Sequence, residues 1–337
     1  MTVKRAAEYL LMVPCVLLVA CGAQSGRETA DVLPVAEVAA PAADGALLAP
    51  VELVAQMSDL AWAGEVDQAQ TLIESQRATH DTASPEWLLA VSWLGRGASF
   101  ESRWGVAAQY AREAFEGSVA LLDVHDLVDN RSLELALGAG IEVLGQAMNS
   151  GGDRDEAVTF LIAQREVYRD TPVETRIQKN VMMLSLEGQP FPTLDVKEYV
   201  GEPLPTGESL EGKVVVAFFW AHWCPDCKRQ VPVLEQLHEE YGDRIAILGP
   251  TQLYGYTSRG QDATPEQELA YLRGTYQERF PIPSFMSVPV SQQNFVDFGV
   301  STTPTLVVID PEGVVRLYNP GDMPYEELQP HIQRLLS

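Results

Sequence analysis

Two cysteines three positions apart, Cys224 and Cys227, close the stretch Ala217-Phe218-Phe219-Trp220-Ala221-His222-Trp223-Cys224-Pro225-Asp226-Cys227-Lys228. Thiols at this spacing can exchange electrons as a dithiol/disulfide couple if one ionises readily and the other is held within reach. The apolar run Val214 to Trp220 predicts a buried strand, and the chain turns helical from about Pro225. Positions i and i+3 share a helix face, so both sulfurs fall at the helix N-terminus. Unpaired backbone N–H groups and the positive end of the helix dipole there favour a thiolate. Cys224 is therefore expected to be the exposed, low-pKa nucleophile and Cys227 the resolving thiol, the two forming a redox-active Cys224–Cys227 disulfide without much backbone movement. Trp223 is expected to wall the sulfur with apolar surface. His222 and Asp226 oppose each other: an imidazolium would stabilise the thiolate, and a carboxylate would destabilise it.

Other chemistries fit less well. A structural bridge across three positions closes almost no loop and constrains the unfolded chain little. A zinc half-site lacks a second Cys/His pair, since His80, His125, His222, His238 and His331 are scattered. No metal or cofactor is expected. A formal net charge of −24 disfavours nucleic acid, whose phosphates attract basic surfaces. The 46% hydrophobic content suits a sizeable core.

Read from its start, the chain predicts four segments. Lys4-Arg5 followed by the apolar run Tyr9 to Ala20 reads as a signal peptide, 1–20. The run is short for a transmembrane helix, and Pro14 interrupts it. Its end, Leu18-Val19-Ala20-Cys21, resembles a bacterial lipobox, which predicts lipidation of Cys21 and an exported, membrane-anchored protein facing the periplasm or the cell exterior. A conventional secretory peptide is the plainer alternative. Residues 21–50, rich in Ala, Pro and Val, predict a flexible tether.

Residues 51–187 carry long Ala/Leu/Glu/Gln-rich helical patterns. Two echoes, Gly64-Glu65-Val66-Asp67-Gln68-Ala69 and Gly152-Asp153-Arg154-Asp155-Glu156-Ala157, resemble inter-helix turns of tetratricopeptide-like hairpins. They are 88 positions apart, which is not a multiple of the ~34-residue period, so the expectation is a degenerate helical-hairpin domain. It would either dock a partner or position the redox domain. Trp62, Trp87, Trp93, Trp104, Tyr110 and Phe115 are expected in its core. Gly188 with Pro190 and Pro192 marks the boundary to a second domain, 188–337. There, strands are expected at 214–220, 244–249, 285–288, 305–309 and 314–318. Helices are expected at 225–240, from a Thr264-Pro265-Glu266-Gln267 capping box, at 291–298 and at 324–336.

Residues 191–337 resemble the thioredoxin superfamily, and within it the TlpA/ResA-like branch of extracytoplasmic thiol–disulfide oxidoreductases. The resemblance rests on Phe219-Trp220-Ala221-x-Trp223-Cys224-x-x-Cys227, Leu210-Glu211-Gly212-Lys213 ahead of the strand, and Pro232 within the helix. Thr303-Pro304-Thr305-Leu306 and the Asp310-Pro311-Glu312-Gly313 turn complete it. It implies an α/β thioredoxin-like fold, a mixed central sheet flanked by helices, behind an all-α domain. It further implies a Thr303–Pro304 cis-proline loop facing the cysteines, where Thr303 can pair with an extended substrate. Trp223, Pro225 and Asp226 would shape the same site. The implied activity is reduction of exported protein disulfides with electrons from a membrane donor. The competing reading is a redox-inactive scaffold lipoprotein whose helical domain does the work. The chain departs from the resemblance at two places: Phe218 and Gln230 stand where relatives carry proton-handling carboxylates.

Overall fold

The computed structural model describes residues 47–201, 203 and 210–337. The signal segment, Cys21 and all but the last four residues of the tether lie outside the described residues. The described chain falls into two compact units, the first ending at Ala157 and the second running from Val158 to Ser337.

The first unit is helical: α1 (Pro50–Trp62), α2 (Val66–Gln76), α3 (Pro85–Phe100), α4 (Trp104–Leu121) and α5 (Arg131–Ser150), with the division falling within α6 (Arg154–Val167). Both glycine echoes occupy turns between helices, Gly64 at φ +74° and Gly152 at φ +95°, a backbone region that side chains disfavour. Trp87, Tyr110 and Phe115 are buried as expected. Trp62 is not: it is 66% exposed and stacks on exposed Phe100 at 5.1 Å. The buried stripe of α1 is Leu53, Met57 and Ala61 at i+4 intervals, so its next residue turns outward. Trp93 and Trp104 are half-buried.

The second unit is built on a six-stranded sheet in the order β1-β6-β3-β2-β7-β8. Its strands are β1 (Glu198–Val200), β2 (Val214–Phe219), β3 (Ile245–Leu248), β6 (Met286–Val290), β7 (Thr305–Ile309) and β8 (Val315–Pro320). A separate hairpin pairs β4 (Tyr256–Ser258) with β5 (Gln261–Asp262). β2 runs parallel to β3 and antiparallel to β7, so the sheet is mixed. Every residue of β2 is buried, as a strand covered on both faces requires. Val214, Val216 and Phe218 face one layer with Leu234, Leu237, Leu328 and Ile332. Val215, Ala217 and Phe219 face the other, with Phe295 and Phe298. The first layer is supplied by α8 (Pro225–Tyr241) and the C-terminal helix, Tyr325–Leu335, and the second by a short helix, Gln292–Asp297.

This unit reaches back past the Gly188 boundary expected from sequence because α7 (Glu174–Ser185) packs against the loop after the short helix. Gln178 Nε2 donates to the Asp297 carbonyl at 2.9 Å. Gly299, at φ +64°, leaves no room for a side chain: a Cβ there would lie 2.2 Å from the Lys179 nitrogen. Met182 and Leu186 complete the contact against the sheet layer.

Between β3 and β6 runs a longer connection. After the β4–β5 hairpin, α9 (Pro265–Tyr271) opens on the expected capping box: Thr264 Oγ1 accepts from Gln267 N, and Gln267 Oε1 accepts from Thr264 N at 2.9 Å. The helix continues through a π turn, Leu272–Tyr276, and a last turn, Gln277–Arg279. The hairpin was not expected from the sequence, since its two short strands show no apolar alternation.

Candidate active site

The register of the sheet assembles the site. Phe219 at the end of β2 pairs with Thr305 at the start of β7, so the residues just beyond them, Trp220 and Pro304, come out at the same sheet end. The Thr303–Pro304 peptide is cis. Trp220 is locked in this corner by three hydrogen bonds. Its Nε1 donates to the Gly249 carbonyl at 2.9 Å, its backbone N–H to the Pro250 carbonyl at 3.1 Å, and its carbonyl accepts from Thr251 Oγ1 at 2.8 Å.

Cys224 is the N-cap of α8, with Pro225 at its first turn, where a missing N–H costs nothing. Its Sγ accepts from Cys227 N at 3.1 Å and lies 3.4 Å from the Thr303 carbonyl, to which the thiol can donate. Both thiols are free. Hydrogen bonding at the cap and unequal burial separate the two chemically. Hydrogen bonds from Cys227, side chain first and then backbone, pull the Cys224 thiol down to about 6 against the opposing effect of burial. Cys227 is pushed far above the ordinary thiol range, first by burial and then by its contact with Cys224. It lines a cavity of about 250 Å³ with Phe218, Val231, Tyr276, Phe280 and Met286, bordered also by Lys228, Glu235 and Arg279.

Exposure does not separate them. Cys224 was expected to be the exposed thiol, yet each cysteine is only 2% exposed. The tight cap draws Cys224 inward beside the Thr303 carbonyl, so hydrogen bonding, not access, distinguishes the two thiols. Trp223 is the exposed member of the group at 45%, its ring set edge-on to Tyr254 at 5.5 Å. Asp226 points away into an ion pair with Arg229 at 2.5 Å, and its charge is the least of the influences raising Cys224. Lys228 from the same helix sits over the Phe280 ring at 4.1 Å.

His222 is also deeply buried. Its Nε2 lies 3.2 Å from Glu268 Oε1, in an alignment too poor for a hydrogen bond. Burial pushes the imidazole below its usual range, with the Glu268 charge opposing. Glu268 was not foreseen. It is 0% exposed, and its oxygens accept from Tyr254 N at 2.9 and 3.0 Å and from Gly255 N at 2.8 Å. The available signal was its placement: Glu268, Leu269, Leu272 and Tyr276 form the buried face of this segment. A carboxylate among leucines at helical spacing needs a partner.

Phe218 and Gln230, where carboxylates were missed, are both buried. Gln230 is a clamp between α8 and the loop ahead of the C-terminal helix: its Nε2 donates to the Met323 carbonyl at 3.0 Å, and its Oε1 accepts from Met323 N at 2.8 Å. Gln230→Glu, which the sequence alone suggests as a way to add a titrating base, would instead set a carboxylate oxygen against a carbonyl. The expected loss is about 1–3 kcal/mol for the buried group left unsatisfied, read as a lower urea midpoint. Because the new acid would be harder to ionise in the fold than in the unfolded chain, the deficit should shrink as pH falls toward 4. An unchanged midpoint at neutral pH would refute the clamp.

The chain carries a thioredoxin-like domain: the family model of that description matches residues 209–336. Among curated proteins it is similar to the thioredoxin-like protein YneN of Bacillus subtilis, 28% identical over 144 residues, covering 42% of this chain and 76% of that one. It is similar also to the thiol-disulfide oxidoreductase ResA of Oceanobacillus iheyensis, 24% identical over 142 residues, covering 42% of this chain and 67% of the relative. A solved thiol-disulfide isomerase from Corynebacterium glutamicum aligns with a TM-score of 0.38 at 22% identity, over 44% of this chain and 96% of that one. All three matches leave more than half of this chain uncovered.

Proposed function

We propose that this protein is a membrane-anchored, extracytoplasmic thiol–disulfide oxidoreductase that reduces disulfides of exported proteins. The observation that carries the reading is the Cys227 N–H bond to the Cys224 sulfur at 3.1 Å, at a helix start beside the Thr303 carbonyl. Together with the Cys227 side-chain contact it favours a thiolate at Cys224, while burial favours the protonated form of Cys227 within reach, as nucleophile and resolving thiol require. A Cys224 value of about 6 lies nearer the ~7 of thioredoxin than the ~3.5 of the strong oxidant DsbA, which supports the reducing direction. Trp223, Pro225, Asp226, Thr303 and Pro304 shape the substrate face, and His222 tunes the thiolate. Electrons would come from a membrane donor, and the helical unit would dock a protein partner. The direction is tested by equilibrating the protein with glutathione. A couple near or below thioredoxin's ~−270 mV supports the reductant, and one near DsbA's ~−120 mV overturns it.

The anchor is read from Leu18-Val19-Ala20-Cys21, outside the described residues. Mass spectrometry of the mature protein from its native host should find a diacylated Cys21 as the first residue. A mature N-terminus elsewhere, or one without lipid, removes the anchor from the proposal.

A further inference from the structure

The connection between β3 and β6 does more than join strands. It brings a fully buried carboxylate, Glu268, and four tyrosines to one imidazole two residues ahead of Cys224. Glu268 is fixed by three contacts with backbone N–H groups of Tyr254 and Gly255, partners that cannot titrate away. The ring of His222 meets Tyr254 at 5.8 Å, Tyr256 at 5.6 Å, Tyr271 at 5.7 Å and Tyr276 at 6.5 Å, each nearly perpendicular. Glu268 and Tyr271 come from α9, Tyr276 from the π turn, and Tyr254 and Tyr256 from the loop and hairpin before it. From α8, Lys228 adds a like charge.

We propose that Glu268 is a positioning residue of the redox centre, its carboxylate 3.2 Å from His222 Nε2 favouring this imidazole as a buried proton acceptor that is charged when Cys224 is a thiolate and neutral when the cysteines are disulfide-bonded. Three observations lead there. A buried carboxylate is retained only with compensating partners, and His222, 3.2 Å from Glu268, is a partner whose charge can change. Burial and Lys228 disfavour the imidazolium, whereas Glu268 favours it, so a further negative charge nearby can decide the outcome. The exchange is balanced: in the dithiol state the Cys224 S–H bond breaks and an N–H bond forms on His222; when the dithiol passes two electrons to a substrate disulfide, the His222 proton and the Cys227 thiol proton leave with the two substrate thiols, and the net charge of the enclosed site is unchanged. Glu268 also reaches the substrate face mechanically. The Tyr254 backbone it holds carries the ring that abuts Trp223, the neighbour of Cys224.

The proposal rests on the oxidoreductase reading only for its use. Its test needs no substrate: the full chain is titrated by NMR of the His222 ring, assigned with His222→Gln, in the dithiol and disulfide states. In the wild type, His222 should bind its proton at least tenfold more tightly in the dithiol state at pH values where Cys224 is ionised. In Glu268→Gln, which keeps the shape and removes the charge, His222 should stay neutral in both states across the same pH range. Glu268→Asp should restore part of the response. Equal proton affinity in the two wild-type states overturns the proposal without any variant, so a misfolded Glu268→Gln leaves it falsifiable. A response that survives Glu268→Gln in folded protein overturns the role of Glu268. Failure of the oxidoreductase reading would look different: no disulfide exchange with any protein substrate, whatever His222 does.

Discussion

Cys227→Ser should accumulate mixed disulfides through Cys224, and Cys224→Ser should trap nothing. The asymmetry follows from the helix cap. Cys224 receives the Cys227 N–H at the start of α8, so on the proposed reading it carries the thiolate and performs the first attack. Cys227, buried and raised first by that burial, stays protonated until a mixed disulfide forms beside it. Its attack is then intramolecular, an advantage worth several orders of magnitude over a thiol in solution. With serine at 227 that route is gone, and the mixed disulfide should persist on the order of 100-fold longer or more. The hydroxyl is nearly isosteric and the capping N–H is backbone, so Cys224 keeps its ionisation. The readout is non-reducing electrophoresis with mass spectrometry of the trapped adducts. Equal trapping by the two variants would reverse or erase the assigned roles.

The thioredoxin-like half of this architecture was legible because its signals are local. An all-apolar run, two cysteines at helix spacing, Pro225 at a first helical turn and the Thr264–Gln267 capping box each specify an element without reference to distant residues. The observed β2, α8 and α9 follow them closely. What escaped was set by packing between segments far apart in sequence. The exposure of Cys224 was misjudged because the Thr303 carbonyl beside it lies 79 positions away. Trp62 was placed in the core on residue type, whereas its position one step past the Leu53-Met57-Ala61 stripe turns it outward. The sheet's coupling to α7 depends on the absence of a side chain at Gly299, which a sequence pattern does not reveal. Glu268 is the most instructive case. Phe218 and Gln230 lie on the strand and helix that lead into and out of the cysteine turn, whereas the buried carboxylate, 3.2 Å from His222, enters from the β3–β6 connection.

Alkylation of the reduced protein should discriminate the two thiols by about 100-fold or more at pH 7, and its pH profile should turn near pH 6. Only the thiolate reacts, so the observed rate is the thiolate fraction multiplied by access. With Cys224 held at about 6, roughly nine-tenths of it is ionised at neutral pH, whereas even an unperturbed thiol near 8.5 would be only a few per cent ionised. Cys227 is displaced in the other direction by burial and by Cys224 itself, so its fraction is smaller still. Access cannot supply the difference, because each residue is 2% exposed. A small reagent such as iodoacetamide is needed, and shielding should slow both sites without moving the midpoint. Below pH 6 the Cys224 rate should fall about tenfold per pH unit as the sulfur regains its proton. Above pH 7 it should be flat, where an ordinary cysteine would still be climbing. Peptide mapping after partial alkylation assigns the label, and Asp226→Asn should move the midpoint only slightly downward, since that carboxylate is the weakest of the influences opposing the thiolate. A midpoint near 8.5, or label shared evenly between Cys224 and Cys227, would show that the cap does not ionise the first sulfur, and the nucleophile would have to be reassigned.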